Sequence, residues 1–178
     1  MSLQSLVITT MLPVYIPLQF IDKSSHSNEI PITWQIPTII LLTLIFHKKV
    51  VFSAFTIYII LGLFILPVFH QGGSLGYLLT PNFGYLLGVY PLIKIIDNLN
   101  YRNKLNIGNF LKNGFIAISA MHLTGIIYNF IQIIFYSKFN LFLYNLGKYS
   151  LGKIGYHFLM LFPLLLLIKP IERIKRSK

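Results

Sequence analysis

The chain has 178 residues, 55% of them hydrophobic and only 11% charged, with a net charge of +11 and no cysteine. Its mean hydropathy is +0.70, and a charged fraction well below the soluble average of about 25% describes an integral membrane protein whose main partner is the lipid bilayer. The basic balance does not make it a nucleic-acid binder, because Lys and Arg fall between and after long apolar runs instead of covering a soluble face; without Cys there is no disulfide framework and no thiol metal site.

A spanning helix needs about 20 mostly apolar residues. Six segments qualify, near 2–21, 30–46, 50–69, 82–97, 109–136 and 151–169, and they predict a single all-α domain, a bundle of six transmembrane helices. The first lacks a positive n-region and an A-x-A-like site and carries Pro13 and Pro17, so it reads as retained, not as a cleaved signal. In the second, Pro31 and Pro37 disfavour regular helix over the first half, so the segment is expected to begin as non-helical chain packed inside protein. The fourth is short. The fifth is long and must tilt or protrude. Residues 170–178 form a basic cytoplasmic tail, which orientation and attraction to lipid headgroups explain.

Cytoplasmic loops are enriched in Lys and Arg. With both termini inside, the outer side keeps Lys23, Lys138, Lys148 and Lys153, and the other eleven of the fifteen Lys and Arg residues lie inside. The even number of spans agrees with that orientation. The predicted location is the plasma (inner) membrane of a prokaryote, and the stretch LPVFHQGGSLGYLLTPNFGYLLGVY at 66–90 becomes the outer loop between spans three and four.

This orientation gives each polar intramembrane residue a depth. Span four enters from outside with Asn82 and Tyr85. Span five leaves toward the outside with Ser119, His122, Gly125, Asn129 and Gln132 at spacings that share one helical face, and span six enters with Lys153, Tyr156 and His157. Any one of these could be an ordinary interhelical hydrogen bond worth about 0.6–2 kcal/mol. Several amide, imidazole and phenol groups with one ammonium at similar depth, beneath a Gly-rich loop, are what an outward-facing small-molecule site needs. Carboxylates are nearly absent there, which argues against an ion-coupled carrier and for a neutral or anionic ligand.

Gly84 and Gly88 form a G-x-x-x-G pair suited to close helix packing; Gly72, Gly73 and Gly76 suit either a tight turn or close approach of backbone to a ligand. GKYSLGK at 147–153 matches G-x-x-x-x-G-K, but Ile154 replaces the required Ser or Thr and no strand precedes it, so it is chance. There is no H-E-x-x-H, no G-x-S-x-G and no acidic pair suited to hydrolysis. The protein is not expected to be an enzyme, and no cofactor is implied. His122 and His157 on different spans are a weaker metal signal than a structural one, so no metal site is assigned.

IPITWQIPTIILL followed by GLFILPVFHQGGSLGYLLTPNFGYLLGVYPL resembles the BioY family, the biotin-binding S components of energy-coupling factor (ECF) vitamin transporters. Its P-x-T-x-Q segment corresponds to Pro31, Thr33 and Gln35, its G-L-P-V-F to Leu66–Phe69, its Gly-rich loop to Gly72, Gly73 and Gly76, and its span-four opening to Pro81, Gly84, Tyr85, Leu86 and Gly88. The clear match covers residues 30–92. The resemblance implies a small helical bundle, ECF S-component-like, that binds biotin on its outer side and takes it up with energy from a coupling transmembrane subunit and cytoplasmic ATPases. The polar depths and the resemblance together give an expected substrate-binding set of Gln35, Gly73, Asn82, Tyr85, His122, Asn129, Gln132, Lys153, Tyr156 and His157.

The chain departs from the family at the start of span six. With Gly152 aligned to the Gly of the family's P-G-D, Lys153 stands where the Asp does and Tyr156 where the following Lys does. Lys153 either pairs with a ligand carboxylate or snorkels to headgroups. The alternative functions are an S component for another small vitamin and a non-transporting membrane assembly subunit whose polar stripe only joins helices.

Overall fold

The computed structural model describes residues 2–16, 30–69, 72–101, 105–136 and 139–176. Helix α1 (Ser2–Met11) is followed by strand β1 (Pro13–Ile16); strand β2 (Ile30–Thr33) leads into α2 (Gln35–Ile45), and α3 (Lys48–Phe64) follows. A 3-10 turn (Leu75–Leu79) precedes α4 (Pro81–Leu87) and α5 (Val89–Tyr101), after which α6 (Ile107–Tyr136) is one unbroken helix. The last leg is α7 (Phe139–Asn145), a π turn (Leu146–Leu151), α8 (Gly152–Leu159) and α9 (Leu161–Arg176).

The first segment is not helical throughout. Pro13 has no N–H for the bond to residue 9, so α1 stops and the chain runs extended. Pro13 to Ile16 pairs antiparallel with Thr33 to Ile30, each strand satisfying the other's backbone as non-helical chain at membrane depth requires. Residues 17–21 of that expected span lie outside the described residues. Non-helical chain does open the second segment, but only through Thr33: Pro37 falls in the first turn of α2, where its missing N–H costs no helical bond.

The sixth leg is helical well before residue 151. Gly147 and Lys148 read as loop in the sequence, yet a π turn absorbs them and α7 continues into α8. Pro163 lies in the first turn of α9, matching the break at Met160. By length and composition, Ile107–Ile134 and Phe142–Arg173 are long and apolar enough to cross a membrane, and outward faces stay apolar, as at Leu166, 81% exposed.

The core is aromatic and aliphatic, with Phe55, Tyr58, Leu92, Ile93 and Phe110 fully enclosed. Because lipid is as apolar as these side chains, close contact and not water exclusion favours such packing in a bilayer. Alpha-four and α5 lie along α6, where glycines permit the approach: a Cβ on Gly88 would strike the Met121 backbone, one on Gly84 the Tyr128 side chain, and one on Gly125 the Tyr85 ring. At the other end Lys48 Nζ meets the buried Asp97 carboxylate at 3.2 Å, clasping the start of α3 to α5.

Candidate ligand cavity

The loop that follows α3 is built into the bundle. Gly72, at φ +99°, donates its N–H to the Phe69 carbonyl at 2.9 Å, a turn that favours glycine. Tyr128 Oη donates to the Leu78 carbonyl and Gln132 Nε2 to that of Leu79 at 3.0 Å, tying the 3-10 turn to α6. Burial raises the Tyr77 phenol above its ordinary value, so it stays a neutral O–H. Thr80 Oγ1 caps the turn on the Tyr77 carbonyl at 2.7 Å, Pro81 opens α4, and Asn82 enters its first turn.

Beneath that loop lies a cavity of about 100 Å³, in a concavity of about 750 Å³ that includes open solvent. Gln35, Asn82, Tyr85, Lys153 and His157 are all in its wall. Phe69, Leu86 and Met121 supply apolar surface, and no Asp or Glu is among the described lining residues. Gln35 is 7% exposed, and its Nε2 has no hydrogen-bond partner among the described residues. An orphaned buried donor costs about 1–3 kcal/mol unless something accepts from it. Tyr58, also in the wall, lies within bonding reach of Thr10 Oγ1 at 3.2 Å and the Val68 carbonyl at 3.4 Å.

Helix α8 supplies the cationic part of the wall, and the π turn supplies the aromatic ring beside it. Lys153 Nζ lies 5.4 Å from the centre of the Tyr149 ring, and Lys148 Nζ lies 5.6 Å from the rings of both Tyr144 and Tyr149. One turn along α8 from Lys153, His157 Nδ1 faces His122 Nε2 at 3.0 Å. His122 Nδ1 is 3.4 Å from Ser150 Oγ, which is 2.7 Å from Tyr85 Oη.

The remaining expected site residues are placed elsewhere. His122 is buried directly behind His157. Asn129 is 3% exposed, with neither amide atom hydrogen-bonded among the described residues. Gln132 holds the 3-10 turn, and Gly73 packs so closely on Gly62, Leu66 and Pro67 that a Cβ would strike their backbone. Tyr156 is half-buried outside the cavity wall. Thr10, Tyr58, Tyr77 and Tyr149 in the wall, and Ser150 behind it, were not singled out from sequence. The one available signal was Tyr149 at four residues before Lys153, the spacing of neighbours on one helix face.

A helical bundle with a polar-studded cavity under a packed loop matches the fold of an ECF S component. A crystal structure of the S-component for biotin from an ECF-type ABC transporter superposes on 98% of this chain and 87% of its own, with a TM-score of 0.63 at 16% identity. The model of the BioY family matches residues 2–162, and the chain belongs to that family. It is also 42% identical over 59 residues to the "Probable biotin transporter BioY" of Lysinibacillus sphaericus, a stretch covering 33% of this chain and 30% of that relative.

Proposed function

We propose that this protein is the substrate-specific membrane subunit of a vitamin uptake system, binding biotin in the cavity from the outer side and mediating its uptake. Energy comes from a separate coupling subunit and cytoplasmic ATPases. The protein is multi-pass in the plasma membrane of a prokaryote with both termini cytoplasmic. Family membership and fold support this reading.

The observation that carries it is the chemistry of the wall: an unpartnered Gln35 amide donor, the Asn82 amide, the Tyr85 phenol and the Lys153 ammonium around aromatic and aliphatic side chains, with no carboxylate among them. A ureido ring needs amide-type donors and acceptors, while a thioether ring and valeryl chain need apolar walls. The ligand carboxylate pairs with Lys153, which takes the polar role at the position where the family carries Asp. An ion-coupled carrier would need an acid in this wall.

Radiolabelled biotin binding to the purified protein tests the reading, with saturable binding below micromolar expected; none at that concentration would sink it. Lys153→Met should weaken biotin binding about 10- to 100-fold, the equivalent of one hydrogen bond to a charged group. Binding of the neutral biotin amide should change little, and an equal loss for both ligands would remove Lys153 from the carboxylate.

A further inference from the structure

Tyr85, Ser150, His122 and His157 come from α4, the π turn, α6 and α8, and their polar atoms follow one another at separations of 2.7, 3.4 and 3.0 Å. The first and last members line the cavity, whereas His122 and Ser150 are buried at 2% and 3% exposure. His157 Nε2 makes no hydrogen bond among the described residues. A chain of groups that each both donate and accept has a direction, and two directions are open to it.

In one direction Tyr85 donates to Ser150, Ser150 to His122 Nδ1, and His122 Nε2–H to His157 Nδ1. His157 then carries its proton on Nε2 as a donor, while the Tyr85 oxygen is left to accept. In the other direction His157 Nδ1–H donates to His122 Nε2, His122 Nδ1–H to Ser150, and Ser150 to Tyr85. Nε2 of His157 is then a bare acceptor and the Tyr85 O–H is free to donate. Inversion takes one proton in at Tyr85 and releases one at His157, so the number of protons on the four residues is unchanged.

From this geometry we infer that Ser150 and His122 form a tautomeric relay that couples Tyr85 to His157, so that the cavity always offers one donor and one acceptor and the ligand selects which is which. The class of ligand recognised is one carrying both a hydrogen-bond donor and an acceptor, as a cyclic urea or amide does. The inference rests on the cavity being the biotin site, and it makes Ser150 a positioning residue, since it acts through Tyr85 and His122.

The test is nitrogen NMR of the full protein with labelled histidine in lipid nanodiscs, where pyrrole-type and pyridine-type ring nitrogens resonate apart. Each ring is expected to show one of each type, and biotin should drive both rings to a single matched tautomer. Tyr85→Phe, which removes a hydroxyl hydrogen-bonded to neither ring, should redistribute the tautomers of both. Ser150→Ala should do the same at His157, which it does not contact, and Ser150→Thr should restore the wild-type pattern; if one variant fails to fold, the other carries the measurement. By isothermal titration, Ser150→Ala should weaken biotin about 3- to 10-fold, the worth of one hydrogen bond, and should add less than that loss when made in the Tyr85→Phe background. Unmoved tautomers in the folded variants, additive losses, or a ring with two pyrrole-type nitrogens would overturn the relay. The ligand-free tautomer comparison needs no biotin, so a wild-type protein that binds none defeats the functional reading while still deciding the relay.

Discussion

Gln35 is buried beside the Tyr58 phenol, which also lies within bonding reach of Thr10 and the Val68 carbonyl, and its amide nitrogen is unpartnered among the described residues. Gln35→Leu therefore removes an orphaned donor at small cost to Tyr58. Melting without biotin should be unchanged or raised by up to about 1–3 kcal/mol, because the desolvation penalty of that donor disappears, and the stabilisation that saturating biotin adds should fall. Thermal unfolding in detergent with and without biotin checks both; a large loss of ligand-free stability would make Gln35 structural. At this scale the sequence was legible where a polar residue was unusual for its depth, as with Asn82, Lys153 and His157, while Gln35 was read only from the family resemblance. It was silent on Ser150 and Tyr58, which are unremarkable residue types. Their partners lie 65 and 48 positions away in the chain, a distance no local spacing spans.

Among the elements, the α4–α6 contact sets the cavity wall because Tyr85 and Met121 both lie at it. A methyl group on Gly88 would meet the Met121 main chain, which cannot swing aside as a side chain would, whereas one on Gly155 meets nothing within 4 Å. Gly88→Ala should destabilise by about 1–3 kcal/mol as overpacking. Gly155→Ala in α8 should be neutral or stabilising by up to about 1 kcal/mol through helix propensity. Melting temperatures of the two variants test the contrast, and equal effects would mean that α4 and α6 do not pack as described. The packing role of the G-x-x-x-G pair was readable from spacing. The extended end of the first segment was not: Pro13 marked a break, but only a partner strand from residues 30–33 explains why the chain runs straight and not into a loop.

At the scale of the whole molecule, orientation decides which side the cavity serves. The chain has no native cysteine, so single cysteines report cleanly. Ser74→Cys on the 3-10 turn should react with an impermeant maleimide added to intact cells, and Lys49→Cys at the start of α3 only in inverted vesicles; both sites are exposed. The reverse pattern would place the cavity mouth inside and end the uptake reading.

The sequence by itself carried the apolar composition, the helical character, the distribution of charge along the chain and the stock of polar groups, because burying a polar side chain in lipid is costly enough to leave a mark in composition. It also carried the family resemblance, concentrated in residues 30–92. Only the tertiary structure decided which polar groups share one cavity and which serve packing. Gln132 and Gly73 hold the loop in place, while Tyr149, Tyr58 and Thr10 join Gln35 and Lys153 in the wall. The reason is geometric: depth along a helix can be counted residue by residue, but rotation about its axis is fixed by neighbours distant in the chain. The π turn at Leu146–Leu151 shifts that rotation by an extra residue per turn, and no count along the sequence contains it.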